Sequence, residues 1–181
     1  QISRMMGVSV KSAWFMMHRI REAMREKHTE PMGGDGSPVQ ADETFIGKRY
    51  YRKGDYSERG AHAKEKVLAL IEDGKVRSFH IPEVNSRTLR PILFTQIDRG
   101  SWLYTDEATY YRSIGREFAR HFSVNHSVRE YVRGGATTNA CENYFSILKR
   151  GLGGIYQHVS PTHLKRYIGE FDFRYNSRDV D

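Results

Sequence analysis

The chain has 181 residues, enough for one well-packed domain with a small appendage; 38% of them are hydrophobic and 12% aromatic, which argues against wholesale disorder. Lys and Arg number 29 against 22 Asp and Glu, a net +7 that suits a polyanionic partner such as nucleic acid, with a merely solvated basic surface as the alternative. The single cysteine, Cys141, excludes an internal disulfide framework and a Cys-based zinc site, and no apolar run is long enough to span a bilayer.

The chain opens Gln1-Ile2-Ser3-Arg4, with neither an initiator Met nor a signal peptide, so an upstream piece is expected to have been lost. Residues 1–28 read as two helices around a Gly7-Val8-Ser9 turn, with Ser9 capping the second, which runs through Trp14, Met17 and Ile20. A short Gly-containing turn between helices fits a helix-turn-helix, here truncated; a plain amphipathic helix is the alternative. Residues 29–38 hold two prolines and three glycines and read as a linker, the best domain boundary.

Val39 to Ile46 is a strand candidate. Residues 47–65 are polar and mix Lys48, Arg49, Arg52, Lys53, Arg59 and Lys64 with Tyr50, Tyr51 and Tyr56. Cations contact phosphates and aromatics stack on bases, so this segment either lies along DNA or is a solvated insertion. Lys66 to Lys75 reads as an apolar strand ending in an Asp73-Gly74 hairpin turn, with Val76 to Val84 as its partner. A helix capped by Ser86 runs to Ile97, a strand covers Ser101 to Thr105, a helix runs from about Ala108 to Ala119, and Phe122 to Asn125 forms a short strand. Two helices follow, Asn139 to Leu152, ended by the glycines at 151, 153 and 154, and Pro161 to about Asn176 after Ser160.

Asp42 sits within one apolar strand and Asp106 ends another, and a buried carboxylate is costly unless a charge such as a divalent cation compensates it. Each is followed by a Glu, at 43 and 107, and strand neighbours point to opposite faces, so composition alone leaves the choice within each pair open. A surface acid at a strand end is the plainer explanation of either. Glu142 fits a capping box with Asn139 as N-cap. It also shares a helix face with Lys149, which could hold a phosphate; Lys149 and Arg150 could equally complement the helix dipole.

Three segments together resemble the DDE transposases of bacterial insertion sequences. They are Val39-Gln-Ala-Asp-Glu-Thr-Phe-Ile-Gly47, Tyr104-Thr-Asp-Glu-Ala-Thr-Tyr110 and Thr138-Asn-Ala-Cys-Glu-Asn-Tyr-Phe-Ser-Ile-Leu-Lys-Arg-Gly151. Lys149 follows Glu142 by seven residues, as in one subgroup, and 35 residues separate Asp106 from Glu142, a spacing typical of such recombinases. Val124-Asn-His-Ser127, Tyr131-Val-Arg-Gly134, Gly153 to Tyr167 and Glu170 to Asn176 are similar to that subgroup's later signature, and Gly7 to Trp14 to the end of its helix-turn-helix.

The resemblance implies an α/β, RNase H-like mixed sheet flanked by helices over 39–181. It selects Asp42, Asp106 and Glu142 as catalytic and metal-binding residues over Glu43 and Glu107. It also implies Mg²⁺ or Mn²⁺, two ions, with cleavage at transposon ends followed by strand transfer. DNA is the expected partner, in a homo-oligomeric synaptic complex, away from any membrane in the bacterial cytoplasm. His158 and His163 are candidates for DNA contact, and His126 a weaker one. A nuclease of the same fold that cuts without joining, and an inactive DNA-binding descendant, are the rival functions.

Overall fold

The computed structural model describes residues 1–47, 64–124 and 138–179. Among them, five strands form one mixed sheet in the order β3-β2-β1-β4-β5. The strands are β1 (Pro38–Ile46), β2 (Glu65–Glu72), β3 (Lys75–Ile81), β4 (Trp102–Asp106) and β5 (Arg120–Val124). The β2–β3 hairpin closes at Asp73-Gly74, where both residues have positive φ (43° and 71°), the two-residue turn expected of that dipeptide. β1 runs antiparallel to β2, whereas β4 and β5 run parallel to β1. Helix α3 (Ser86–Gln96) joins β3 to β4, and α4 (Thr109–Gly115) joins β4 to β5.

Strand alternation divides the sheet between two cores. Val39, Ala41, Leu68, Leu70 and Leu103 face α3 and α4, where Leu89, Leu93, Tyr111 and Ile114 are buried. On the other face, Val67, Ala69 and Ile71 meet Cys141, Tyr144, Phe145 and Leu148 of α5 (Asn139–Arg150) and Leu164, Ile168 and Phe171 of α6 (Pro161–Asn176). Because β2 is covered on both faces, Val67 to Ile71 is one continuous apolar run. Each large side chain so buried contributes about 1.5–3 kcal/mol. This mixed sheet with helices on both faces is RNase H-like, as the resemblance implied.

Local readings hold with adjustments. Gly7 takes the left-handed conformation that ends α1 (Ile2–Met6), and the Ser9 hydroxyl accepts the Ser12 N–H (3.0 Å) to cap α2 (Val10–Ala23). Asn85, not Ser86, caps α3: its side chain accepts the Thr88 N–H at 2.9 Å, while the Ser86 hydroxyl donates to the Tyr110 carbonyl. α4 stops at Gly115, four residues before the expected end. α5 ends at Arg150, two residues before the expected end, with Gly151 as its C-cap, and the chain then widens into a π turn, Gly151–Ile155. Gly151 lies so close to α6 that a Cβ there would sit 2.2 Å from the Phe171 ring.

The segment 29–38 carries little regular structure, as expected, but it is pinned. Met32 is buried and bridges Ile97, with its N–H donating to the Gln96 carbonyl at 2.7 Å. Gly33 has φ +82°, and a Cβ on it would fall 1.9 Å from the Ser101 hydroxyl. Gly33→Ala is expected to cost roughly 2–4 kcal/mol, from strain and overpacking together, in urea unfolding.

α6 also supplies Asp172, which accepts the Ser78 N–H (2.9 Å), the Ser78 hydroxyl and the Tyr144 hydroxyl. Burial pushes its carboxyl up to about 6, against the lowering effect of those donors. The native state therefore takes up this proton before the unfolded chain does, so the stabilisation is full below the unfolded value near 4 and lost as pH rises through about 6. Relative to Asp172→Asn, the wild-type protein should gain roughly 2–3 kcal/mol between about pH 7 and pH 4. Equal pH dependence of the two in urea unfolding would refute this.

α2 packs on α6. Arg21 donates to Glu170 at 2.8 Å, both side chains being nearly inaccessible, and its guanidinium lies 4.1 Å from the centre of the Tyr167 ring. Among the described residues no helix is long and apolar enough to cross a membrane.

Candidate active site

The adjacent parallel strands β1 and β4 set the site. Their last registered pair is Gln40 with Tyr104. Asp42 and Asp106 each lie two residues further along, so the same alternation carries both side chains to one face. Asp42 pairs in register with Ala69, whose side chain belongs to the α5–α6 core, so that face is the one α5 covers. The Gln40 side chain accepts the Ala140 N–H (3.1 Å) and ties the start of α5, which carries Glu142, to β1.

The Asp–Glu ambiguities resolve by face. Glu43 points to the opposite side of the sheet, where it accepts hydrogen bonds from the Tyr110 hydroxyl (3.3 Å) and the Tyr111 hydroxyl. Glu107 is exposed beyond the end of β4. Glu142 is not the N3 partner of an Asn139 cap. Thr138 occupies the N-cap position, Asn139 is the first helical residue, and the Glu142 N–H bonds to the Thr138 carbonyl (3.1 Å).

Electrostatics link the four sequence candidates. Burial is the largest cause pushing the Asp42 carboxyl up to about 7. The Glu43 backbone N–H, 2.8 Å from Asp42 Oδ1, works against that rise. The negative charges of Asp106 and Glu142 add to it, and the Lys149 ammonium opposes it. Burial likewise pushes Glu43 up to about 8. Asp106 Oδ1 accepts the Ala108 N–H at 3.0 Å. Among the described residues, no three His, Cys, Asp or Glu side chains are gathered closely enough to cage a metal ion.

Lys149 and His158 line one groove of about 630 Å³ with Ile46, Glu65, Leu152 and Val159. Arg150 lines another, about 530 Å³, beside Ile147, Ile155, Arg174 and Arg178. His163 packs against the Trp14 and His18 rings of α2, with ring centres 5.2 and 4.7 Å away, and bonds to Arg166 (2.9 Å). Lys48, Arg49, Arg52, Lys53, His126 and the segment 131–134 lie outside the described residues. Two features escaped sequence reasoning: the tyrosine partners of Glu43 and the Arg21–Glu170 pair. Strand alternation put Glu43 on the face opposite Asp42, but nothing local says which face that is or names its partners.

Two carboxylates thus lie on adjacent parallel strands of an RNase H-like sheet, with a third on the covering helix. The chain belongs to the family of the ISXO2-like transposase domain, which matches residues 33–176. It is also similar to an "Uncharacterized transposase-like protein" of Haemophilus influenzae, 27% identical over 106 residues, covering 59% of this chain and 85% of the relative.

Proposed function

We propose that this chain is the catalytic part of a DDE transposase that cuts DNA at transposon ends and joins the freed 3′ ends to target DNA. The observation that supports it most is the placement of Asp42 and Asp106 on one face of neighbouring parallel strands, under the helix that carries Glu142, where burial and the charges of Asp106 and Glu142 raise the Asp42 carboxyl to about 7. Excess negative charge in a low-dielectric setting is what a divalent cation relieves, and an all-carboxylate donor set suits Mg²⁺ or Mn²⁺. Asp42, Asp106 and Glu142 would hold the metal, one or two ions, which when bound neutralises charge on the reacting phosphate.

The chain's own part is positioning and charge. The neighbouring strands β1 and β4 carry two carboxylates toward one face, and α5 would present the third with Lys149 on its next turns, where the ammonium would meet a phosphate oxygen. Water attacks phosphorus at the transposon end, the P–O3′ bond on its far side breaks, and the 3′-OH is freed with a proton passed to solvent. That 3′-OH then attacks a target phosphorus and displaces another 3′ oxygen in the same way, with no protein nucleophile. The basic balance of the chain, Arg150, and Lys48, Arg49, Arg52 and Lys53 fit DNA contact. His158 shares a groove with Lys149, which fits the same role; His163, packed on α2, has less room to take part. Pairing of two ends calls for a homo-oligomer.

One observation favours a second function, DNA binding without chemistry: the acids are not gathered into a cage. Incubation of the protein, Mn²⁺, a fragment bearing its own element's ends and a supercoiled plasmid separates the possibilities. Joined product is expected. Cleavage without joining would indicate a nuclease, and binding without either would indicate the inactive descendant.

A further inference from the structure

The ladder between β1 and β4 ends at Gln40 and Tyr104, before either strand reaches its aspartate. Beyond that point the two carboxylates would be free to drift apart unless something else joins the strands. A second connection exists on the far face of the sheet. Glu43 accepts from Tyr110 and Tyr111, the second and third residues of α4, and Tyr111 is fully buried among Ala41, Leu103 and Ile114. α4 in turn starts just after Asp106, whose Oδ1 accepts the Ala108 N–H at 3.0 Å. At the other end, the Glu43 N–H donates to Asp42 Oδ1 at 2.8 Å. A continuous path therefore runs from Asp42 through Glu43, the two tyrosines and the start of α4 to Asp106.

We propose that Glu43 is a positioning residue for the divalent-cation site: with the hydroxyls of Tyr110 and Tyr111 it clamps β1 to α4 where the strand ladder has stopped, and so sets the separation of Asp42 and Asp106. The proposal rests on the assignment of those aspartates as cation ligands. Partners behind the ligands hold their geometry, and their loss typically weakens metal affinity ten- to a hundred-fold. The clamp is unlike ordinary core packing in one respect: it acts through two hydroxyls, so removing those oxygens leaves the ring packing in place. The two tyrosines use different oxygens of Glu43; Gln at position 43 keeps one accepting oxygen and places an NH2 where the other stood, which can donate to the second tyrosine's hydroxyl oxygen and so keep the clamp.

The test is Mn²⁺ titration of the whole chain without DNA, followed by the electron paramagnetic resonance signal of free Mn²⁺. Wild type should bind Mn²⁺ in a manner lost in Asp42→Asn. Tyr110→Phe combined with Tyr111→Phe should weaken it about ten- to a hundred-fold, with circular dichroism and affinity for a plain duplex unchanged. Glu43→Ala should weaken it similarly, and Glu43→Gln should stay within about threefold of wild type. If wild type binds Mn²⁺ through Asp42 and the double Phe variant binds it equally well, the clamp is refuted alone. If wild type shows no Asp42-dependent binding, the cation assignment falls and the clamp with it. Equal loss in Glu43→Gln and Glu43→Ala would also overturn the clamp, since the accepting oxygen would then be irrelevant.

Discussion

Asp42→Asn will abolish metal-dependent cleavage and strand transfer, by on the order of 10³-fold or more, while DNA binding stays within about threefold of wild type. The loss should not come from unfolding. Asp42 is a largely buried carboxyl beside two like charges, so a neutral isostere relieves repulsion and the metal-free variant should melt no lower than wild type. Asp106→Asn and Glu142→Gln should behave alike in the joining assay. A residue whose replacement leaves activity intact would leave the triad. The binding measurement carries a second signature. Affinity should fall with rising salt to the same degree in wild type and variants, because contacts to phosphate, and not the acids, release the counterions.

Arg21→Ala should destabilise the fold by about 3 kcal/mol in urea unfolding, the low end of what breaking a buried ion pair costs. Arg21 and Glu170 have side-chain exposures of 5% and 3%, so the variant strands a carboxylate with little access to water. Partial relief comes from Arg174 at 3.1 Å, itself 62% exposed, and from the Tyr156 hydroxyl at 2.9 Å. The guanidinium also lies 4.1 Å from the Tyr167 ring centre and 5.2 Å from that of Tyr156, contacts that Ala cannot replace. Replacing both partners with Met should recover most of the loss, because it removes the unpaired charge and keeps the volume. A cost under about 1 kcal/mol for Arg21→Ala, or a double variant no better than the single, would contradict the stranded Glu170 charge as the source of the loss.

Much of the fold was legible because its signals are local. Asp73-Gly74 names its own hairpin, Ser9 its own cap, and the run from Val67 to Ile71 its own burial. Where two neighbours could serve equally, distant contacts chose. Ser86 and Asn85 are both good caps, and the reach of Ser86 to Tyr110 leaves the cap to Asn85. The bond from Ala140 N–H to Gln40 accompanies a helix start one residue earlier than the capping box required. The glycines at 151, 153 and 154 signal the stop of α5, but the π turn that follows, with Gly151 packed under Phe171, has no local signal. The candidate acids were found by spacing and resemblance. Which member of each Asp–Glu pair faces α5 depended on the registers of β1 with β2 and with β4, and no single strand reveals those.

The partners in the Arg21–Glu170 bond are 149 residues apart in the chain. At ordinary translation rates of about 5–20 residues per second, Arg21 is made roughly 7–30 s before Glu170. During that interval α2 has no α6 to lie on, and its aromatic and basic side chains stand open on a nascent polypeptide still attached to its ribosome. The Arg21–Glu170 bond can form only once α6 has been made, so α2 is briefly a free arm and afterwards a fixture on α6.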